Sequence, residues 1–174
     1  MKIELSKKYF LKNTENGEVA TNASVIISKE NNSLIFDFEI IDDSLFSPYS
    51  KDNEDIYHGD VCEVFISFDG DLHRYLEYEV SPYNIKFLGL IDNPTLDNPI
   101  LTKINPLFES EVVLNKNGYH AKIVVDLKDN DINNIKFNCF NIDSDKDRPQ
   151  KLYALNPTFK RNFHLSNYFV EFNK

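Results

Sequence analysis

A chain of 174 residues with 41% hydrophobic and 13% aromatic side chains can bury one sizeable core and is too short for two. Its 28 acidic residues against 19 basic ones leave a formal charge of −9, which argues against binding nucleic acid through phosphates or docking on an anionic membrane. No stretch approaches the length of a membrane-spanning helix, and residues 1–19 lack the apolar run of a signal peptide, so a cytoplasmic location is the expectation.

Helical periodicity is nearly absent along the chain, and period-two runs recur instead. Residues 25–27 open the series. Leu34, Phe36, Phe38 and Ile40 then form a one-sided strand with Asp37 and Glu39 between them. Two strands follow around an acidic, glycine-containing turn. In the first, Glu63 falls between Val61 and Phe65 on one face, while Cys62, Val64, Ile66 and Phe68 line the other. In the second, Glu77 and Glu79 alternate with Leu76, Tyr78 and Val80. Residues 85–91 continue the pattern. Residues 111–114 meet 119–127 across Asn115-Lys116-Asn117-Gly118, where the Asn-Gly step signals a hairpin. Residues 135–142 and 168–172 complete the strands.

Three connections, 42–56, 92–106 and 143–151, read as long polar loops without strand patterning. Loops of that kind on a rigid scaffold usually carry function. Nothing in the sequence divides the chain, so residues 1–174 are expected to form one all-β domain, a single antiparallel β-sandwich of immunoglobulin or jelly-roll type. Cys62 and Cys139 both lie in apolar strand rows and read as buried free thiols.

A carboxylate inside an apolar row either pairs within the protein or meets a ligand. The residues around Glu63 also resemble a known family. Tyr57, Gly59-Asp60, Glu63-Val64-Phe65-Ile66, Tyr75 and Glu79-Val80-Ser81-Pro82-Tyr83-Asn84 form one matching block. Asn138-Cys139-Phe140-Asn141-Ile142-Asp143, Tyr153-Ala154-Leu155-Asn156-Pro157-Thr158, Asn162-Phe163-His164 and Tyr168-Phe169 form a second. Together they resemble the family 9 carbohydrate-binding modules and their relatives with a DOMON-like β-sandwich.

That resemblance implies a non-catalytic domain that recognises the end of a mono- or disaccharide between two aromatic rings, with polar groups around the rim. The chain has no tryptophan. Tyr57 falls where the first platform is expected. The second is expected near residues 153–158, where Leu155 stands with Tyr153 and Phe159 as neighbours. Asn141 occupies a position where relatives carry arginine, which loses a bidentate charged grip. The resulting ligand set is Tyr57, Glu63, Glu77, Asn84, Asn141 and Tyr153, and weak affinity is expected of it.

Other readings stand beside this one. Tyr57 reads equally as a half-buried strand-end aromatic, and Glu63 as a structural carboxylate paired with Arg74, Arg148 or a backbone amide. A sandwich with a vestigial sugar site could instead dock on another protein through Phe46, Tyr49 or Phe108. A glycosidase built on Glu63, Glu77 or Glu79 would need two carboxyls at a set separation, and no motif marks such a pair. The scattered His58, His73, His120 and His164 carry no zinc spacing. No cofactor is expected, although structural calcium is compatible with the oxygens of Asp52, Asp55 and Asp60. Asp143, Asp145 and Asp147 only mimic an EF-hand, since Arg148 and Ala154 replace its glycine and glutamate.

Overall fold

Strand alternation dominates the computed structural model, which describes residues 1–173. In chain order the strands are β1 (Lys2–Ile3), β2 (Lys8–Asn13), β3 (Val19–Glu30), β4 (Ser33–Ile41), β5 (Val61–Ser67), β6 (Arg74–Val80), β7 (Lys86–Asp92), β8 (Ile100–Lys103), β9 (Glu109–Asn115), β10 (Gly118–Asp126), β11 (Lys136–Asp145), β12 (Arg148–Ala154) and β13 (Val170–Phe172). Single 3₁₀ turns at Ile56–His58 and Ser166–Tyr168 are the helical elements among the described residues.

The strands hydrogen-bond in the order β8-β7-β6-β5-β11-β12-β2-β3-β4-β10-β9, with β13 also on β11 and β1 on β13. All neighbours are antiparallel except β1 and β13. The path is thin at one place. β12 meets β2 through only Tyr153↔Asn13 and Ala154↔Lys12. There the sheet folds over, so that β8-β7-β6-β5-β11-β12 faces β2-β3-β4-β10-β9.

Alternation then decides which side chains meet. Cys62, Val64 and Ile66 of β5 and Phe137 and Cys139 of β11 point between the layers, against Phe36 and Phe38 of β4 and Tyr119 and Ile123 of β10. Phe36 meets Phe137 edge to face at 5.7 Å between ring centroids. Burying each such side chain is worth roughly 1.5–3 kcal/mol. The outward face of β4 stays polar, with Asp37 half-buried and Glu39 at the surface in a salt bridge to Lys8. This is the one-sided pattern that its sequence shows.

The first layer differs, because both of its faces are covered. Every residue of β5 is buried. Its outward row, Val61 and Phe65, joins Tyr75, Phe87, Ile91, Phe140, Ile142 and Leu152 in a second apolar cluster, roofed by Ile56 and Phe163. Glu63, Glu77 and Glu79 share this second face. That placement explains why β5 is apolar on both parities and why its carboxylate lies inside a row of hydrophobic residues.

Four strands fall where the sequence suggests none, the short β1 at Lys2–Ile3 among them. β8 lies in the 92–106 segment and is exposed throughout. β12 overlaps the charged 143–151 segment, where its first residues are exposed before Leu152, Tyr153 and Ala154 turn inward. β2 precedes the first strand expected. The β9–β10 hairpin forms as expected, with Asn115 opposite Gly118, so Lys116 and Asn117 make the turn. Gly118 is needed for close approach rather than as a central turn residue: at φ +148°, an added Cβ would lie 2.0 Å from the Ile40 carbonyl oxygen of β4.

Candidate functional site

The 3₁₀ turn at Ile56–His58 sets Tyr57 over the second face of the first layer. Ile56 is fully buried and anchors the turn, and Gly59 follows where a Cβ would meet the Phe46 carbonyl oxygen at 2.7 Å. The half-buried Tyr57 ring packs edge-on against Phe87 at 5.9 Å and beside His58 at 4.6 Å. Its backbone carbonyl accepts a hydrogen bond from the Gln150 side-chain amide at 2.9 Å. Its hydroxyl neighbours the Asp55 carboxylate, which receives Lys103 Nζ at 2.5 Å. Burial and this carboxylate push the Tyr57 phenol up to about 12, so the ring stays neutral.

Beneath Tyr57 lies a group of three acids. Glu63 stands directly across the β5–β6 ladder from Glu79, and Phe65 stands across from Glu77. Exposure of Glu63, Glu77 and Glu79 is 1%, 6% and 0%. Among the described residues, none of the three has a salt-bridge partner. The cations considered for Glu63 are used elsewhere, Arg74 with Asp92 and Arg148 with Asp145.

One oxygen of Glu63 and both oxygens of Glu79 receive no hydrogen bond from a protein N–H or O–H. The neighbours of Glu79 on this face are the carboxyls of Glu63 and Glu77, which add their charge to the loss of solvation. Loss of solvation therefore pushes Glu77 up to about 7. Loss of solvation and then the charge of neighbouring carboxyls push Glu63 and Glu79 well above the usual carboxylate range. The floor is a cluster of buried acids whose protonated forms are favoured by burial and by their mutual charge.

The opposite wall comes from the segment before the last strand. Phe163 stacks on Phe140 at 4.1 Å and 17°, and meets Phe65 edge-on at 6.5 Å. His164 stacks on Phe65 at 4.9 Å. Its Nδ1 lies 2.9 Å from the Tyr75 hydroxyl, which takes a longer bond from the Asn93 amide. The Tyr75 proton therefore goes to His164, so Nδ1 is the acceptor and Nε2 carries the ring hydrogen. Burial lowers His164 to about 4, which keeps it neutral. Arg161 is tied to Glu15 at 2.7 Å and to the Gln150 carbonyl at 2.7 Å.

Tyr57, Glu63, Glu77, Phe163, His164 and Arg161 thus line one open cavity of about 400 Å³, with Leu101 of β8 at its rim. Gly89, opposite Glu77 on β7, makes room there, since a Cβ would lie 2.4 Å from Leu101 Cδ1. A larger cavity of about 490 Å³ opens between the layers near Tyr78 and Phe108. None of the unpartnered buried side-chain oxygens lies in its wall. The chemistry is concentrated in the first cavity.

Of the six residues expected to bind a ligand, the structure brings together Tyr57, Glu63 and Glu77. The other three lie elsewhere. Asn84 sits exposed in the turn after β6, at φ 60°, where it accepts a hydrogen bond from Ser110 Oγ. Asn141 points between the layers, donating to the Val61 carbonyl at 3.0 Å and lying 3.5 Å from the Tyr119 hydroxyl. Tyr153 also points between the layers, as does Leu155, while Phe159 is 58% exposed on another surface. The second aromatic wall is Phe163, which the sequence places in the matching block without marking it as a platform.

The aspartates weighed for calcium also separate. Asp52 accepts a backbone N–H from Lys86, Asp55 pairs with Lys103, and Asp60 groups with Asp42 and Asp143, all within 4.8 Å. Both Asp60 oxygens are taken by the backbone N–H groups of Phe46 and Ser144, and Asp143 pairs with Lys151. Asp60 thus stands with Asp42 and Asp143, apart from the Asp52 and Asp55 with which the sequence groups it.

No family model matches the chain. A 51-residue stretch, 29% of the chain, is 43% identical to an extracellular protein of Arthroderma benhamiae, and the match spans only 23% of that protein. Among solved structures, a Bacteroides uniformis protein to which carbohydrate binding has been ascribed superposes with TM-score 0.73 at 14% identity, over 96% of this chain and 85% of its own. A family 9 carbohydrate-binding module from Caldicellulosiruptor kristjanssonii, solved with glucose, gives 0.69 at 17% identity over 99% and 96% of the two chains. A module of the same family and organism, solved with cellotriose, gives 0.67 at 18% identity over 95% and 83%. The thirteen strands of this chain adopt the fold of the family 9 carbohydrate-binding modules.

Proposed function

We propose that the chain is a non-catalytic module that takes the end of a mono- or disaccharide in the cavity under Tyr57. One observation carries this reading: an aromatic ring on a tight turn, two buried acids from adjacent strands, and a second aromatic wall at Phe163 converge on one opening. A pyranose offers an apolar C–H face to rings such as Tyr57 and Phe163. Its hydroxyls match carboxyls that lack partners within the protein. The likeness to modules solved with glucose and cellotriose points the same way. A cavity of about 400 Å³ lies at the small end of ligand pockets, which suits a short sugar end.

The arrangement of acids supports binding without cleavage. Glu63, Glu77 and Glu79 all rise from one sheet face, and no carboxyl from the Arg161–His164 side lines the cavity. A glycosidase needs two carboxyls flanking the scissile bond, one of them ionised. With one tyrosine in place of a tryptophan platform and Asn141 turned away, affinity is expected to be weak, millimolar to high micromolar, or about −4 to −6 kcal/mol. Calorimetric or NMR titration with glucose, xylose, cellobiose and maltose tests this. Saturable binding of at least one sugar without release of product is expected. Hydrolysis of an oligosaccharide, or no binding at tens of millimolar, would refute the reading and favour a protein-interaction module.

A further inference from the structure

Three acids line or underlie one cavity, and among the described residues no basic side chain forms a salt bridge with them. Arg161 lines the same cavity but has its charge matched by Glu15, and Lys103 is held by Asp55. A hydroxyl of a neutral sugar can satisfy one carboxyl oxygen but brings no countercharge. An ammonium brings three N–H donors and a positive charge together. Resting on the sugar-binding reading, we infer that the cavity prefers a sugar carrying a free amine, with the ammonium held between the carboxyls of Glu63 and Glu77.

The surroundings suit an organic cation better than a metal. Oxygens of Glu63, Glu77 and Glu79 do not converge within the 4.8 Å that Asp42, Asp60 and Asp143 achieve, so they do not make a metal cage. Other charged or titratable groups facing the floor are accounted for. From the 3₁₀ turn, Tyr57 is a neutral phenol beside Asp55, and His58 sits at the exposed rim. On β6, Tyr75 is a neutral phenol bonded to His164. From the opposite wall His164 is neutral, and Arg161 has its charge matched by Glu15. Lys103 on β8 is held by Asp55. None of these supplies the missing countercharge. Where Glu63 and Glu77 are both protonated, binding of the ammonium is accompanied by ionisation of at least one of them: its O–H bond breaks, the carboxylate stays to face the ammonium, and the proton passes to the buffer.

The experiment is calorimetric titration of the whole chain at pH 6.5 with glucosamine, glucose and N-acetylglucosamine. Each is run in phosphate and in MES, whose ionisation enthalpies differ. Glucosamine is expected to bind at least about tenfold tighter than glucose, with a buffer-dependent enthalpy showing proton release. N-acetylglucosamine should lose the advantage. Glu63→Gln and Glu77→Gln keep the side-chain shape and should each bring glucosamine back towards glucose. If glucose binds and glucosamine binds no tighter, the preference for an amine is wrong while sugar binding stands. A glucosamine advantage that survives both substitutions and shows no proton exchange places the ammonium elsewhere and also overturns the inference. Binding of neither sugar overturns both readings, and binding of glucosamine alone supports this one.

Discussion

Glu63 of β5 and Glu79 of β6 face one another across the strand ladder, both buried and without a cationic partner. Two ionised carboxylates at directly opposed positions repel, and burial removes the water that would screen them. Burial and the neighbouring carboxyls therefore favour the protonated form of both. This juxtaposition is costly for a structural element and useful for a site that waits for hydroxyl or ammonium donors.

Stability of the ligand-free protein should therefore fall as pH rises from about 5 to 8. Unfolded glutamates ionise near 4.3, whereas folded Glu77 and Asp60 ionise at about 7, and Glu63 and Glu79 are likewise raised well above the usual carboxylate range. Between those values the folded state holds more protons than the unfolded one, so each added pH unit favours unfolding, by up to about 1.4 kcal/mol per group. His164, lowered to about 4, works the other way below about 6.5, where unfolded histidine gains a proton and the folded ring does not. The carboxyls outnumber it. Urea melts at pH 5, 6.5 and 8 check this, and a rise in stability across that range contradicts the buried neutral acids.

Glu79→Gln separates the floor's strain from its function, because Glu79 lies beneath the cavity rather than in its wall. Replacing an acid that must stay protonated with a neutral isostere should stabilise the ligand-free protein by about 1–2 kcal/mol at pH 8 and change little at pH 5. Denaturant midpoints at the two pH values provide the measurement. Equal effects at both would mean that Glu79 does not titrate in the folded state.

Tyr57 should act through its ring and not through its hydroxyl. Tyr57→Phe loses the hydroxyl beside Asp55 but keeps the face, so sugar affinity should stay within about threefold. Tyr57→Ala removes the platform and the edge contact with Phe87. It should cost about 1–2 kcal/mol of stability and weaken binding tenfold or more. Paired thermal melts and titrations distinguish the two substitutions, and equal loss of binding in both would assign the contact to the hydroxyl.

Both cysteines should resist alkylation in the native protein. Cys62 and Cys139 are fully buried and free, and burial raises both thiols far above their ordinary range. Mass analysis after a short pulse of iodoacetamide should show no adduct without denaturant and two with it. Rapid native labelling of either one contradicts the packing between the layers.

Most of the fold is legible because period two is: the apolar row of Leu34, Phe36, Phe38 and Ile40 faces inward as its pattern requires. β8 escapes notice because it is exposed along its whole length and has no buried row to write a pattern. In the site, parity within a strand is informative, so Glu63 with Phe65, and Glu77 with Tyr75, can be assigned to one face. Parity between strands is harder to read. Asn141 and Tyr153 look like partners of that face, yet the register Phe140↔Glu63 and Ala154↔Phe140 sends their neighbours outward and turns them between the layers. Phe163 arrives from an irregular segment, where no periodicity indicates what a ring will meet.

The most direct test of the central claim is to map where a sugar binds, using amide chemical shifts during titration with glucose or cellobiose. The account predicts saturable shifts confined to Tyr57, the outward rows of β5 and β6, and Arg161 to His164, and abolished by Tyr57→Ala. Shifts centred instead on the cleft near Tyr78 and Phe108, or shifts that Tyr57→Ala leaves unchanged, would place sugar recognition outside this cavity and contradict the account.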